Sequence, residues 1–481
     1  MKRLGLLVLL SSLLVCRWGI VDGQTFTSLW QFGSLTNDVD GGCPGATLIQ
    51  GRDGNFYGTS GWTNQVHCTV FKITPQGTLT TLWQFGSLSN NADGNSPFAG
   101  LVQGRDGDFY GTTASGGINH AGTVYKITSA GTLTPLWQFG GLTNDADGIG
   151  PNGLTQGSDG NFYGTTIGEE LNTHGTVFRI TPQGSLTTLY SFGNVAGDGI
   201  DPFATVVQGR DGNFYGTTGS GGAFGHGTVF RMTPTGELTN IWHFSGGLDG
   251  AFPTAALVQG RDGLFYGTTY SGGSSNLGIV YKITSTGTLT PLWQFGSFAN
   301  GADGGRPNDA LVLGSDGSFY GTASGGGTNH PFSNGTAFKI TSAGSFTPLW
   351  QFGSLSGFPH VDGSGPRGLV QGSDGFFYGT TTFGGTNGGG QYGTVFKICV
   401  PLNPPANQIS GLSVADSNIV VAVPSVAGET YQLQYRADLT SGDWSNIPDA
   451  CVSNSLGAML TVTNLGGALA PQGFYRFDIT P

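Results

Sequence analysis

Three hydrophobic strings recur along residues 25–399 at intervals of about 50 residues. Phe-Tyr-Gly-Thr begins at 56, 109, 162, 214, 265, 319 and 377. A string close to Gly-Thr-Val-Phe-Lys-Ile-Thr begins near 68, 122, 175, 227, 278, 335 and 393, and Leu-Trp-Gln-Phe or a variant begins at 29, 82, 136, 189, 241, 292 and 349. Their Val, Ile, Phe, Tyr, Thr and Trp content predicts short β-strands.

Each repeat predicts four strands, which we name a to d in chain order. In the second repeat they cover residues 99–103, 108–113, 122–128 and 132–139. Arg105-Asp106-Gly107 separates a from b, and Asp-Gly favours a tight hairpin because Gly accepts positive φ without a steric penalty. Ser129-Ala130-Gly131 predicts a second turn between c and d.

Seven four-stranded repeats are typical of a seven-bladed β-propeller, and the predicted class is all-β. The chain opens with a strand d at residues 25–32 and ends the repeats with a, b and c at 369–398. We therefore expect the N-terminal strand to complete the last blade and close the ring. A straight solenoid of seven repeats is the alternative, but it leaves that first strand unexplained.

Composition agrees with a turn-dense β-protein. Gly supplies 88 of the 481 residues and only 10% are charged, which excludes a coiled coil or helical bundle. The 37% hydrophobic content is too high for a disordered chain. A net charge of −11 disfavours nucleic acid or an anionic membrane surface as partner. We expect a monomer without a transmembrane segment.

The first 23 residues are predicted to be a signal peptide. Lys2 and Arg3 precede an apolar run too short to span a bilayer, and cleavage is expected near Gly23. Cys16 raises lipidation as an alternative, although Val15 before it is bulky for that processing. The mature chain is then secreted, periplasmic or attached to the cell surface.

The repeats stop at Cys399, and a Pro-rich linker is predicted at residues 400–406. Residues 407–481 alternate in short strand patterns, which predicts a small Ig-like or fibronectin-III-like β-sandwich. Sorting, surface attachment and spacing are the roles considered for it.

The repeat layout is similar to kelch propellers and more closely resembles the Gloeobacter/Verrucomicrobium tandem-repeat (GloVer) family. Residues 156–166, 175–181 and 186–192 carry the family's three strings almost letter for letter. The resemblance covers residues 25–399 and implies an exported bacterial protein, often with an interchangeable C-terminal module. It implies no reaction. The C-terminal piece resembles the small sandwich on many exported Verrucomicrobia proteins.

The d-to-a loops each carry an Asp-Gly, and two extend to Asp-x-Asp-Gly, at Asp38/Asp40 and Asp145/Asp147. Carboxylates with this spacing could ligate Ca²⁺. The alternative is that each Asp caps its own turn, and it requires no cofactor. Histidines recur in the b-to-c loops, and one more lies on the same predicted face; they are His67, His120, His174, His226, His330 and His360. Packing within each blade is one interpretation of them, and metal binding or acid–base catalysis is the other.

Residues that interrupt the repeat are stronger candidates for function than those that obey it. Trp62, Tyr270, Arg306 and Arg367 are loop residues without equivalents in most blades, and they could bind a carbohydrate or a peptide. Glu169 and Glu170 form the one acidic pair that stands out as a catalytic candidate, and no catalytic triad can be assembled from spacing. Ordinary variation of loop sequence is the alternative for all of them.

Four cysteines follow the predicted signal peptide. Their positions predict disulfides Cys43–Cys68, within the first blade, and Cys399–Cys451, between the last blade and the C-terminal module. Free thiols at Cys399 and Cys451 are the alternative.

These features favour an exported, non-enzymatic binding or scaffold protein with a glycan or protein ligand at the loop face of the propeller. The alternative is a polysaccharide hydrolase or lyase with its site at the channel mouth, an argument from fold alone.

Overall fold

A computed structural model of the chain describes residues 25–61, 67–168, 174–298, 301–326, 334–355, 360–387 and 392–400, together with six strands between residues 411 and 480. Residues 24–400 form one compact unit. Its described part contains seven four-stranded antiparallel sheets, so this unit is a seven-bladed propeller.

The strands a and b of blades 1 to 7 meet at the Asp-Gly turns. The strands a are Ile49–Gln50, Val102–Gln103, Pro151–Gln156, Val207–Gln208, Val258–Gln259, Val312–Leu313 and Ser364–Gln371. The strands b are Phe56–Ser60, Phe109–Thr113, Phe162–Thr166, Phe214–Thr218, Phe265–Thr269, Phe319–Ala323 and Phe377–Phe383.

Strands c and d follow in the same order. The strands c are Thr69–Ile73, Thr123–Ile127, Thr176–Ile180, Thr228–Met232, Ile279–Ile283, Thr336–Ile340 and Thr394–Cys399. The strands d are Leu79–Gln84, Leu133–Gln138, Leu186–Ser191, Leu238–His243, Leu289–Gln294, Phe346–Gln351 and, for blade 7, Thr25–Gln31.

Blade 7 is built from both ends of the repeat region. Thr25–Gln31 pairs antiparallel with Thr394–Cys399, with Thr25 opposite Cys399 and Gln31 opposite Thr394. Two short strands, Gly199–Ile200 and Ser220–Gly221, pair outside the blades. Among the described residues, 3₁₀ turns lie in d-to-a loops at Thr36–Asp38, Ser89–Asn91 and Thr143–Asp145. No helix in the described ranges is long and apolar enough to cross a membrane.

The Phe-Tyr-Gly-Thr string joins neighbouring blades. The Tyr of each strand b stacks on the Phe of the next blade, with ring centroids 3.9 to 4.0 Å apart, in the pairs Tyr57–Phe109, Tyr110–Phe162, Tyr163–Phe214, Tyr215–Phe265, Tyr266–Phe319, Tyr320–Phe377 and Tyr378–Phe56. Offset aromatic pairs add to the free energy of burying the rings. The seventh pair connects the last blade to the first.

The Asp of each a-to-b turn receives a hydrogen bond from the same Tyr. Tyr215 Oη, for example, donates to Asp211 Oδ2 at 2.7 Å. Burial tends to raise the pKa of Asp211, but hydrogen bonds from Asn213 and Tyr215 outweigh it and lower the pKa below its usual value. The equivalent donors are Tyr57, Tyr110, Tyr163, Tyr266, Tyr320 and Tyr378. The recurring Asp is therefore part of the blade interface as well as the turn.

A glutamine ladder adds a further bond across most blade interfaces. The Gln that ends strand a accepts a backbone N–H from the preceding blade's turn, as Gln103 Oε1 does from Arg52 N at 3.0 Å. Five more interfaces have this bond, through Gln156, Gln208, Gln259, Gln371 and Gln50. Leu313 occupies this position in blade 6, so the interface between blades 5 and 6 lacks it.

The C-terminal unit is described only through its strands. Gly411–Ala415, Asn418–Pro424 and Met459–Asn464 form one three-stranded sheet, and Thr430–Arg436, Ser445–Ser453 and Phe474–Thr480 form another. Its relation to Ig-like or fibronectin-III-like sandwiches stays a prediction. The predicted signal peptide and the Pro-rich segment 401–406 lie outside the described residues.

Candidate functional site

The Asp-Gly loops are held by the aromatic residue of strand d. Trp30 Nε1 donates to Asp40 Oδ2 at 3.1 Å, and the backbone N–H of Ser34 donates to the same oxygen at 3.0 Å. Six other blades repeat the aromatic bond, in the pairs Trp83–Asp93, Trp137–Asp147, Tyr190–Asp198, Trp242–Asp249, Trp293–Asp303 and Trp350–Asp362. This arrangement favours the capping interpretation of these carboxylates.

The Ca²⁺ hypothesis gains no geometric support from the same loops. Asp40 and Asp147 are fully buried and bonded to indole, and Asp38 Oδ2 accepts a hydrogen bond from Tyr392 Oη at 3.0 Å. Asp145 lies in a 3₁₀ turn. Within the described ranges, no group of three or more His, Cys, Asp or Glu side chains is placed to hold a metal ion.

His174 and His226 of the b-to-c loops and His360 of a d-to-a loop contact other loop residues. The ring of His226 lies edge-on to Phe252 at 6.0 Å between centroids. His360 Nε2 and Asn334 Nδ2 are 3.3 Å apart, and the backbone carbonyl of His174 accepts from Asp201 N at 3.1 Å. These contacts agree with local packing, while His330 lies outside the described residues.

One position at the start of each blade has left-handed backbone geometry. It directly precedes the Pro that leads into strand a, and its seven occupants, with φ from 49° to 62°, are Cys43, Ser96, Gly150, Asp201, Phe252, Arg306 and Gly365. Only Gly adopts this region without strain, yet five blades place a side chain there. Strained positions of this kind cluster at functional sites when the surrounding structure holds them in place.

Arg306 is held in this conformation by backbone hydrogen bonds from both neighbouring loops. Its N–H donates to Leu277 O at 2.7 Å, and its carbonyl accepts from Ser324 Oγ at 2.9 Å and from Ser324 N at 3.4 Å. The guanidinium carbon of Arg306 lies 5.7 Å from the centre of the Tyr270 ring, a cation–π distance. The residue itself is exposed. Two of the predicted ligand-binding residues are thus neighbours.

Arg367 lies in the next blade and is largely buried, with 11% of its side chain exposed. Its Nε donates to Thr382 Oγ1 at 2.9 Å, and Nη1 is 4.0 Å from Asp309 Oδ2. Oriented to satisfy both neighbours, the Asn308 amide accepts from Arg367 Nη1 at 2.9 Å and donates to Asp309 Oδ2 at 3.1 Å. Arg367 therefore has a fixed set of partners inside the protein.

Asp309 is a residue of interest that the sequence interpretation missed. Burial raises the pKa of its carboxyl, although Arg367 and the Gly368 N–H each lower it in part. Four other blades carry Ala at the equivalent position, namely Ala46, Ala99, Ala204 and Ala255. Aligning the strands a of the repeats would have revealed this substitution.

The segments that lead into strands a of neighbouring blades approach one another closely. A Cβ added to Gly368 would lie 2.1 Å from Thr47 Oγ1 and 3.4 Å from Asp309 Cβ, which places residues of blades 7, 1 and 6 together. Arg306, Asn308, Asp309 and Arg367 lie where loops lead into the strands a of blades 6 and 7, and Tyr270 follows strand b of blade 5 and contacts Arg306. We call these five residues the mouth cluster.

A separate open groove of about 690 Å³ lies on blade 4, at the loop end of its strand d. Phe224 and Leu248, 61% and 63% exposed, lie on its walls beside Trp242, His243 and Asp249. His243 Nδ1 accepts from Ala223 N at 3.2 Å, so the neutral ring carries its proton on Nε2. The groove on blade 4 was not predicted from the sequence.

The predicted Cys43–Cys68 disulfide is absent, because both residues are thiols in this structure. Cys68 Sγ instead donates to Asn95 Oδ1 at 2.9 Å and to Gly61 O at 3.3 Å. Chain spacing placed the two residues in one blade but did not fix the direction of the thiols. The Cys399–Cys451 pairing stays a prediction, since the Cys451 side chain lies outside the described residues, as do Trp62, Glu169 and Glu170.

The three strings, the blades they form and the contacts between blades recur as one unit, and the sequence model of the Gloeobacter/Verrucomicrobia repeat matches residues 15–149 and 142–302. The chain belongs to this repeat family. A comparison with curated proteins found no match. Membership of the family explains the repeated contacts, whereas Tyr270, Arg306, Asp309 and Arg367 have no counterpart of the same type in the other blades.

Solved structures that match this family member share little sequence with it. A candidate 6-phosphogluconolactonase from Bacteroides uniformis is 14% identical, with a TM-score of 0.41, covering 84% of this chain and 96% of its own. Puromycin hydrolase is 12% identical, with a TM-score of 0.43 and coverages of 80% and 59%. An acylaminoacyl peptidase from Pyrococcus horikoshii is 8% identical, with a TM-score of 0.38 and coverages of 77% and 56%. None of these similarities assigns a reaction to this chain.

Proposed function

We propose that this protein is an exported, non-enzymatic binding protein whose ligand, a carbohydrate, occupies the mouth cluster. The observation that carries the proposal is the Arg306–Tyr270 pair. An exposed guanidinium lies 5.7 Å from a half-buried aromatic ring, on a backbone held in a strained conformation by its neighbours. Five blades place a side chain on this left-handed backbone, and blade 6 is the one whose side chain is cationic.

The chemistry of the pair suits a sugar. One face of the Tyr270 ring is covered by the Arg306 guanidinium, so in this proposal the opposite face packs against the C–H surface of a pyranose ring while polar groups beside it fix the orientation of the ligand. Arg306 supplies donors next to Tyr270, and Asn308, two residues along the chain, is held by the Arg367–Asp309 network. Preorganised side chains reduce the entropy lost on binding. A protein ligand is the alternative that the experiment below distinguishes.

Asp309 is the observation that most favours the enzymatic alternative, a polysaccharide hydrolase or lyase. A buried carboxyl with a raised pKa suits a general acid. Most glycoside hydrolysis, however, uses two carboxyl groups that flank the bond. The partners of Asp309 in the described structure are Arg367, Asn308 and the Gly368 backbone. This arrangement favours a supporting role for Asp309.

Glycan-array binding followed by turnover assays on the bound glycans tests the proposal. Tyr270→Ala places in blade 5 the residue that blade 2 carries at Ala114, and it should reduce binding about tenfold or more, as loss of an aromatic anchor does. Ile167→Ala changes the same position in blade 3 and should leave binding unchanged.

Three outcomes would contradict the proposal. One is a wild-type protein that binds no glycan but captures a peptide, and another is binding that survives Tyr270→Ala. The third is turnover of a bound glycan that disappears in Asp309→Asn, Glu169→Gln or Glu170→Gln, because it would establish the enzymatic alternative.

A further inference from the structure

The basic residues of the propeller are distributed unevenly between its two faces. Residues 25–400 contain 13 Lys and Arg. Seven lie at one recurring site in strand c and four lie in a-to-b turns, away from the loop face. The remaining two are Arg306 and Arg367, both in the mouth cluster. The loop face therefore carries positive side-chain charge from Lys or Arg at one place only.

The two guanidiniums differ in how far the protein neutralises them. Arg367 is largely buried, 4.0 Å from a carboxylate oxygen of Asp309, and bonded to Thr382. Arg306 is exposed, and the ion pairs found among the described residues involve Lys126, Lys339 and Arg367 instead. Its observed partner is the face of the Tyr270 ring, which leaves the N–H edges of the guanidinium available to an acceptor.

From this geometry we infer that the ligand is an acidic polysaccharide and that Arg306 binds the carboxylate of one uronate residue while Tyr270 contacts a sugar ring. The inference rests on the proposed function and specifies its substrate class. A planar guanidinium matches a carboxylate through two parallel N–H···O bonds, which a hydroxyl cannot reproduce. The net charge of −11 opposes unspecific attraction of a polyanion, so recognition depends on this local contact.

The placement of Arg306 supports the same assignment, because Cys43, Ser96, Asp201 and Phe252 share its left-handed φ but only blade 6 puts a cation there. Two blades place Gly at the equivalent position, Gly150 and Gly365, which shows that the fold accepts the unstrained residue there. Blade 6 retains a long cationic side chain at φ 56°. Backbone hydrogen bonds to Leu277 and Ser324 fix the position of the Arg306 backbone, and so the point from which its guanidinium side chain extends.

Polygalacturonate and its fully methyl-esterified form provide a direct test, because esterification removes the charge and keeps the sugar backbone. Wild-type protein should bind the acid form at least about tenfold more tightly than the ester, as a charge-assisted hydrogen bond predicts. Arg306→Gln should abolish this preference, and Arg306→Lys should restore part of it. Arg105→Gln removes a similar charge from an a-to-b turn and should leave the preference unchanged.

The results separate the inference from the proposed function. Equal binding of acid and ester, a preference that survives Arg306→Gln, or binding confined to neutral glycans would overturn the uronate inference while leaving a glycan-binding site. Absence of glycan binding, or binding that survives Tyr270→Ala, would overturn both. Binding of an acidic peptide with the same dependence on Arg306 would also overturn the inference, because the ligand of this site would then be a protein. Melting temperatures of the variants check that each remains folded.

Discussion

The ring of Phe56 in blade 1 stacks on that of Tyr378 in blade 7, with 3.9 Å between centroids and 28° between the planes. The six other blade interfaces contain the same pair at nearly the same distance. The contact between the first and last blades is thus chemically equivalent to contacts between blades that are adjacent in sequence.

Phe56→Ala should lower the free energy of unfolding by about 3–5 kcal/mol, as removal of a buried Phe generally does. Phe214→Ala removes the equivalent ring, which stacks on Tyr163 at 4.0 Å, and serves as the control. Denaturant titration should give similar losses for both variants. A much smaller loss for Phe56→Ala would show that the first and last blades separate before the rest of the ring unfolds.

Gln103→Leu should cost about 1–2 kcal/mol of stability, because the Gln103 side chain accepts a hydrogen bond from Arg52 N and donates one to Gly107 O, and Leu, the natural residue 313 of blade 6, makes neither. Leu313→Gln supplies the bond that blade 6 lacks but loses apolar contacts of Leu313. We expect a change of under about 1 kcal/mol for it. Equal destabilisation by both substitutions, measured in denaturant, would show that the ladder does not contribute.

Arg306→Gly should be more stable than Arg306→Ala by about 1 kcal/mol, since Gly adopts a φ of 56° without steric conflict. At Arg105, whose backbone is not in the left-handed region, the Arg105→Ala variant should be more stable than Arg105→Gly by roughly 0.5–1 kcal/mol. Thermal unfolding of the four variants measures both differences. The same sign at both positions would remove the evidence for strain at Arg306.

Asp309 and Asp211 should affect stability in opposite directions as pH changes. Because burial raises the folded-state pKa of Asp309, ionising it destabilises the fold as pH rises above about 4, its unfolded value. Asp309→Asn should therefore gain stability relative to wild type over that rise. Asp211 has a lowered pKa, so its contribution is present above about 4 and is lost in acid. Asp211→Asn should lose stability relative to wild type as pH rises. Denaturant titrations from pH 3 to pH 7, with that range chosen around the ordinary carboxyl pKa, test both signs.

Cys43 and Cys68 should react slowly with iodoacetamide in the folded protein. Burial raises the pKa of the Cys68 thiol, partly offset by a hydrogen bond from the Ser96 backbone, and so reduces the thiolate fraction. Denaturation without reductant should make both cysteines alkylatable. A non-reducing peptide map that instead finds the two peptides joined would restore the disulfide predicted from sequence.

The blades were predictable because each strand and turn motif occurs in seven repeats, so an assignment made in one repeat can be checked in the other six. In blade 2, the strand predicted at residues 108–113 is observed as Phe109–Thr113, and that predicted at 122–128 as Thr123–Ile127. Contacts between blades were not predictable from one repeat. The Asp of a hairpin turn can be identified from sequence, but not the Tyr that donates to it from within the interface.

The candidate site was only partly predictable. Tyr270, Arg306 and Arg367 were found because they interrupt the repeat, yet sequence could not show that Arg367 is held by Asp309 while Arg306 is exposed. The disulfide prediction for Cys43 and Cys68 failed for a related reason. Separation along the chain limits which residues share a blade, whereas side-chain direction depends on backbone geometry such as the φ of 49° at Cys43.

The Leu313 gap in the glutamine ladder has a mechanical consequence. It falls between blades 5 and 6, where Thr268 Oγ1 is also buried without a hydrogen-bond partner, and Tyr270 and Arg306 face each other across the same boundary. Two inter-blade hydrogen bonds that occur elsewhere in the ring are missing at this boundary, so we expect it to open more readily in thermal fluctuations than boundaries that have both. A ligand bound to both Tyr270 and Arg306 would connect blades 5 and 6. Its binding should therefore slow amide hydrogen exchange along the whole boundary between these blades, although the ligand contacts only the loop end of that boundary.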